Sequence, residues 1–156
     1  MKRLAHVAVF VSDIDRSRKF YEEVLGLRHS ETHPPEDHFM NKAMGHTLCF
    51  LSCGNVHHDI VLVQQKDPKT GGAVPVGGHQ LAHYAFELGP DESPEAFAKR
   101  LRDKKIPILY GPILHDPGPG GDGSWGGNRS VYFRDPDGHV VEVYSGMDTF
   151  VENRAR

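Results

Sequence analysis

An α+β fold of two successive β-α-β-β-β modules is what this 156-residue chain predicts, on three observations. Two short apolar runs of strand character each open on a histidine, His6 in LAHVAVFV and His83 in LAHYAFEL. Each is followed by a segment whose apolar residues recur at helical spacing. The registers also match: Phe20 and Phe97 each lie fourteen residues after their histidine, Val24 and Leu101 each eighteen, which marks an internal repeat.

The elements follow in order. His6 to Val11 alternates as a strand, and in SDIDRSRKFYEEVLGL the residues Ile14, Tyr21, Val24 and Leu25 recur at helical spacing, with Gly26 as a left-handed stop. HTLCFLS and HHDIVLVQQ are the later strands of this module. In the second copy LAHYAFEL precedes GPDESPEAFAKRLRDKKIP, where Ser93 caps, Pro94 suits the first helical turn, and Phe97 and Leu101 face inward. SVYFRD and HVVEVYS close it. The modules span 1–66 and 79–147, joined by the Gly- and Pro-rich linker 67–78 and followed by a frayed tail, 148–156, in one functional domain. HDPGPGGDGSWGGN, with Trp125 inside it, reads as a mobile loop over a site.

Composition narrows the function classes. With 38% hydrophobic and 25% charged residues the chain can bury a core as one compact soluble unit. A formal charge of -3 leaves no large basic field, and Lys99, Arg100, Arg102, Lys104 and Lys105 fall on a helix beside Asp103 as a solvated face; nucleic acid is not an expected partner. The apolar stretch at the start is too short for a signal segment or a membrane span. Cys49 and Cys53 read as free thiols in a reducing compartment, which makes the cytoplasm the expected location.

The chemistry is carried by three polar groups in apolar strands: His6, His83, and Glu142 in HVVEVY. Aligning HDIVLV with HVVEVY sets Val61 opposite Glu142 in the repeat, so four equivalent positions hold only three donors. Two imidazoles and one carboxylate on one face of an octahedral ion leave adjacent positions open for substrate and dioxygen. That favours Fe(2+), with Mn(2+) and Zn(2+) compatible with the same ligand types. Gln64 or Gln65 would supply a fourth ligand if the strand register differed. In the turn RDPDG, Arg134, Asp135, Asp137 and Gly138 read as structural. His38, His46, His79 and His139 read mostly as surface or loop residues.

The runs HVAVFVSDIDRSRKFYEEVLGL, LAHYAFEL and VYFRDPDGHVVEVY resemble the vicinal oxygen chelate superfamily of glyoxalases, bleomycin and fosfomycin resistance proteins, methylmalonyl-CoA epimerases and extradiol dioxygenases. The resemblance covers nearly the whole chain. It implies paired modules curling into a half-open barrel around a divalent metal, and a homodimer. The pattern is most similar to that of type I extradiol ring-cleavage dioxygenases, which have His, His and Glu where this chain has His6, His83 and Glu142. They also have a tyrosine ten residues before the glutamate, matched by Tyr132, and an acid-base histidine at the start of the strand closing the preceding module, matched by His58 with His57 as fallback. Because adjacent strand residues face opposite ways, only one of that pair is expected in the site.

What the resemblance implies is an Fe(2+)-dependent dioxygenase acting on a catechol-type aromatic diol and O2. His58 would handle protons, Tyr132 would bond a substrate oxygen, and His115, bordering the glycine-rich loop, would face substrate. The alternatives within the resemblance are a glyoxalase- or epimerase-like enzyme using Ni(2+) or Zn(2+), a metal-free ligand-binding protein of the bleomycin-resistance kind, and a fosfomycin-resistance transferase. The last needs a phosphonate pocket, for which Arg129 is the lone basic candidate.

Overall fold

The computed structural model describes residues 6–36, 46–67, 69–70, 72, 83–116, 118–122 and 127–147. Most of the expected linker, Trp125, the tail 148–156, His38 and His79 lie outside the described residues. The chain divides into two compact units, Met1–His79 and Gln80–Arg156. Each has the element order β-α-β-β-β, as the repeat predicts.

In the first unit β1 (Val7–Phe10) leads into α1 (Ile14–Leu25), then β2 (Arg28–His33), β3 (His46–Ser52) and β4 (Ile60–Gln65). The sheet order is β1-β4-β3-β2, with β1 parallel to β4 and the other pairs antiparallel. Asp13 caps α1 by accepting from the Arg16 backbone N–H at 2.9 Å, and Gly26 ends it at φ 72°, the left-handed stop expected of it. Ile14, Ser17, Tyr21 and Val24 form the buried stripe of α1, which packs on β3 and β4.

In the second unit β5 (Tyr84–Glu87) is followed by α2 (Pro94–Asp103), β6 (Ile108–Leu114), β7 (Arg129–Arg134) and β8 (Val140–Ser145), ordered β5-β8-β7-β6. Ser93 Oγ accepts from the Ala96 N–H at 3.2 Å and Pro94 occupies the first turn, again as expected. Phe97, Ala98 and Leu101 of α2 meet the odd-numbered residues Val131, Phe133, Val141 and Val143, all essentially buried. The Phe97 and Phe133 rings lie 5.6 Å apart. Strand alternation then turns Ser130, Tyr132 and Glu142 to the opposite face, which is where the site is built.

The structure refines several expectations. Phe20 is only half-buried where Phe97 is buried, because α1 fills its core with Tyr21 at the place of Ala98. The helix of the basic cluster stops at Asp103, so Lys104 is its C-cap and Lys105 lies beyond it at φ 58°. Lys99 pairs with Asp103 and Arg100 with Glu92, as a solvated face requires. His46 and His139 are buried rather than superficial. Cys49 and Cys53 are free thiols; burial pushes both up, with Asp59 adding to it at Cys53. Among the described residues, no helix is long and apolar enough to cross a membrane.

The different filling of the two helix faces has a measurable outcome. Phe97→Ala is expected to cost about 3–5 kcal/mol, and Phe20→Ala well under half of that because its ring already contacts solvent. Urea unfolding midpoints of the two variants check this.

Candidate metal and substrate site

Glu142 stands at the centre of β8, only 5% exposed, between β5 and β7. A carboxylate in that position must be held by donors or by a cation. Ser130 Oγ donates to Glu142 Oε1 at 2.6 Å, and Asn128 Nδ2 reaches the same oxygen at 3.3 Å and Ser130 Oγ at 2.8 Å. The second oxygen, Oε2, lies 3.1 Å from His83 Nε2. His83 immediately precedes β5, whose Ala85 is the register partner of Glu142, so β5 and β8 together bring imidazole and carboxylate to one place.

Tyr132 is the cross-strand partner of Glu142 on β7. Its ring lies edge-on to His83, 5.7 Å between centroids, and its hydroxyl is 3.0 Å from His115 Nε2. Burial first, then the Glu142 charge, push the phenol up to about 12, so it holds its proton at neutral pH. His115 Nδ1 in turn meets Asp122 Oδ2 at 2.7 Å. The second unit thus gathers His83, Glu142, Tyr132 and His115 of the expected residues. Asn128, Ser130 and Asp122 complete the group and were not anticipated, although two of them lie two and four residues before Tyr132, the strand period.

Arg129 is placed otherwise. It sits on the helix face of β7, where its guanidinium bonds Glu95 of α2 and holds that carboxyl below its usual range. Its parity separates it from Ser130 and Tyr132, on whose face His83, Glu142 and His115 gather. Asp135, at the RDPDG turn, accepts from the backbone of Asp137 and His139 at 3.0 and 2.8 Å, the structural role expected of that turn.

In the first unit His6, just before β1, lies 4.7 Å from the ring of His58. β4 begins only at Ile60, so His57 and His58 lie in a bend and strand alternation does not govern them. Their Nδ1 atoms are 2.8 Å apart, and both rings pack on Phe50. His57 Nε2 continues to Glu31 Oε1 at 3.0 Å. Burial, with His6 and His57 adding, lowers the His58 pKa below the ordinary imidazole value, so its ring is neutral at pH 7. The register also shows the repeat's asymmetry: Val61 pairs with Ala8 and Phe50 as Glu142 pairs with Ala85 and Tyr132. Gln64 is engaged elsewhere, its Oε1 accepting from the Ile14 N–H at 3.0 Å, whereas Gln65 shares the face of Val61.

Within neither unit do the described residues gather three His, Cys, Asp or Glu side chains that could hold a metal. The donor pair of the second unit nevertheless suits one. Two donors bound at about 2.1 Å on adjacent positions of one ion stand about 3 Å apart, and His83 Nε2 and Glu142 Oε2 stand at 3.1 Å. An open groove of about 660 Å³ follows α2 and β6 from Arg102 to Gly111, and contains none of these donors.

The model of the Glyoxalase/Bleomycin resistance protein/Dioxygenase superfamily matches residues 3–143. The chain is 28% identical over 141 residues to the metallothiol transferase FosB of Staphylococcus epidermidis, covering 90% of this chain and 80% of the relative. It is 27% identical over 146 residues to biphenyl-2,3-diol 1,2-dioxygenase 2 of Rhodococcus globerulus, covering 90% of this chain and 61% of that protein, so it spans about three fifths of its length. The solved glyoxalase I of Leishmania major superposes with a TM-score of 0.64 at 23% identity, covering 99% of this chain and 93% of that one, a likeness of fold.

Ser130→Ala removes the shortest bond to Glu142 while leaving both donor atoms in place. It is expected to weaken divalent-metal binding about 10- to 100-fold, read by competition with a chromogenic chelator, with the far-UV circular dichroism unchanged.

Proposed function

We propose that this chain, which belongs to the Glyoxalase/Bleomycin resistance protein/Dioxygenase superfamily, is an Fe(2+)-dependent extradiol ring-cleavage dioxygenase that opens a catechol-type diol with O2. The metal ligands in this reading are His6, His83 and Glu142. The observation that carries it is Tyr132, paired in register with Glu142, its hydroxyl beside His115 and its ring against His83.

When bound there, a ferrous ion would supply the electron transfer between diol and dioxygen. The protein's part is orientation and proton handling. Glu142, fixed by Ser130 and Asn128, and His83 would hold their donor atoms on one side. Tyr132, protonated up to about 12, would hydrogen-bond a substrate oxygen. His58, neutral and beside His6, would accept a hydroxyl proton of the diol and return it later as an acid. Val61 in place of a fourth donor would leave room for two exogenous ligands. Mn(2+), Zn(2+) or Ni(2+) fit the same donor types less selectively.

A second reading, metal-dependent transfer of a thiol, is favoured by one observation: the FosB relative is covered over 80% of its length, the biphenyl-diol dioxygenase over 61%. Against it stands Arg129, the basic residue expected to meet a phosphonate, which is paired with Glu95.

Anaerobic loading with ferrous ion, followed by air and a panel of catechols, is expected to give oxygen uptake and a yellow ring-opened product. His58→Gln should retain metal and lose about 10²- to 10⁴-fold in kcat. Oxygen uptake absent from every diol while metal is bound would sink the reading, and thiol addition to fosfomycin by the same preparation would establish the second.

A further inference from the structure

The glycine-rich stretch after β6 carries a residue, Asp122, to which the proposed reaction gives no part. His115 and Asp122 are both largely covered, with side chains 14% and 17% exposed, and their contact of 2.7 Å is fixed from the backbone on both sides. The His115 N–H donates to Asn128 O, and the Gly127 N–H donates to His115 O, each at 2.8 Å. The Asp122 N–H donates to Leu114 O at 3.0 Å, and the Gly121 N–H to Gly118 O at 3.2 Å. A Cβ on Gly121 would stand 2.0 Å from Asp116 O, so only glycine lets the chain turn back here. His115 Nε2 then reaches Tyr132 at 3.0 Å.

Donor counting orients this chain of contacts. An ionised Asp122 only accepts, so the His115 nitrogen facing it must carry hydrogen. A neutral ring has one such hydrogen, and the bond made by one nitrogen decides the state of the other. We propose that Asp122 is a positioning residue: it keeps the ring proton of His115 on Nδ1 and presents Nε2 to Tyr132 as an acceptor, so that the phenolic hydrogen is shared between His115 and Glu142. This deepens the reading of Tyr132 as a substrate-facing group and rests on it. It also gives Asp122, in the glycine-rich stretch, a part in the orientation of the site.

The test is ring-nitrogen NMR of ¹⁵N-histidine-labelled protein at a pH above the imidazole range, with His115→Gln assigning the signal. The wild type is expected to show hydrogen on Nδ1 and a bare Nε2. Asp122→Asn keeps the shape but can turn its amide N–H toward the ring, and is expected to move the proton to Nε2. In turnover it should lower kcat by at least about tenfold, as wrong-tautomer variants of buried Asp-His pairs do, with KM for the diol within twofold. A wild-type ring protonated on Nε2 overturns the proposal even if no variant folds. So does an Asp122→Asn protein with an unchanged tautomer, or with a changed tautomer and unchanged kcat. The NMR arm needs no substrate, so failure of every diol overturns the dioxygenase reading and leaves the tautomer result to decide this one.

Discussion

A buried carboxylate cannot stand alone, and the second unit is arranged around that constraint. Glu142 could be placed in the middle of a sheet only because its neighbour strand offers a hydroxyl and an amide on the same face. The period of two that brings Asn128, Ser130 and Tyr132 to that face also sends Val131 and Phe133 to α2. One strand thus serves a core and a site at once. A one-residue slip of β7 would put Val131 beside the carboxylate and Ser130 into the helix interface, so register is fixed from both sides.

The two halves of the repeat use the same frame for different ends. Phe50 stands where Tyr132 does, and Val61 where Glu142 does, so the first sheet is apolar at the two positions where the second is polar. Against Phe50 lie imidazoles contributed from outside the strands, His57 tilted to its ring and His58 edge-on. One unit holds its polar groups by cross-strand hydrogen bonds, and the other by aromatic packing on Phe50 together with the contacts of His57 to His58 and Glu31.

Much of this was legible in the sequence because it rested on periodicity. The strand openings at His6 and His83, the caps Ser93 and Gly26, and the equivalence of Val61 and Glu142 all follow from spacing that sterics enforce. What escaped was set by partners distant in sequence. β2, with the polar run RHSETH, is an edge strand with no core to imprint a pattern on it, and its limits did not show. The buried state of His46 and His139, and the turning of Arg129 toward Glu95, depend on neighbours that no local window contains. Asp122 was hidden among glycines whose fold is decided by backbone closeness at Gly121. The bend at His57 and His58 defeated an argument that was sound for strands.

The asymmetry at Val61 is also more deeply rooted than one side chain. Valine and glutamate codons can differ by a single base, so a symmetric four-donor repeat would be one mutational step away if position 61 alone mattered. Yet Leu48 occupies the place of Ser130 on the neighbouring strand, and Phe50 that of Tyr132. A carboxylate arriving at position 61 would find no hydroxyl to hold it. A held carboxylate at both equivalent positions would therefore require coordinated changes on two strands of the first unit.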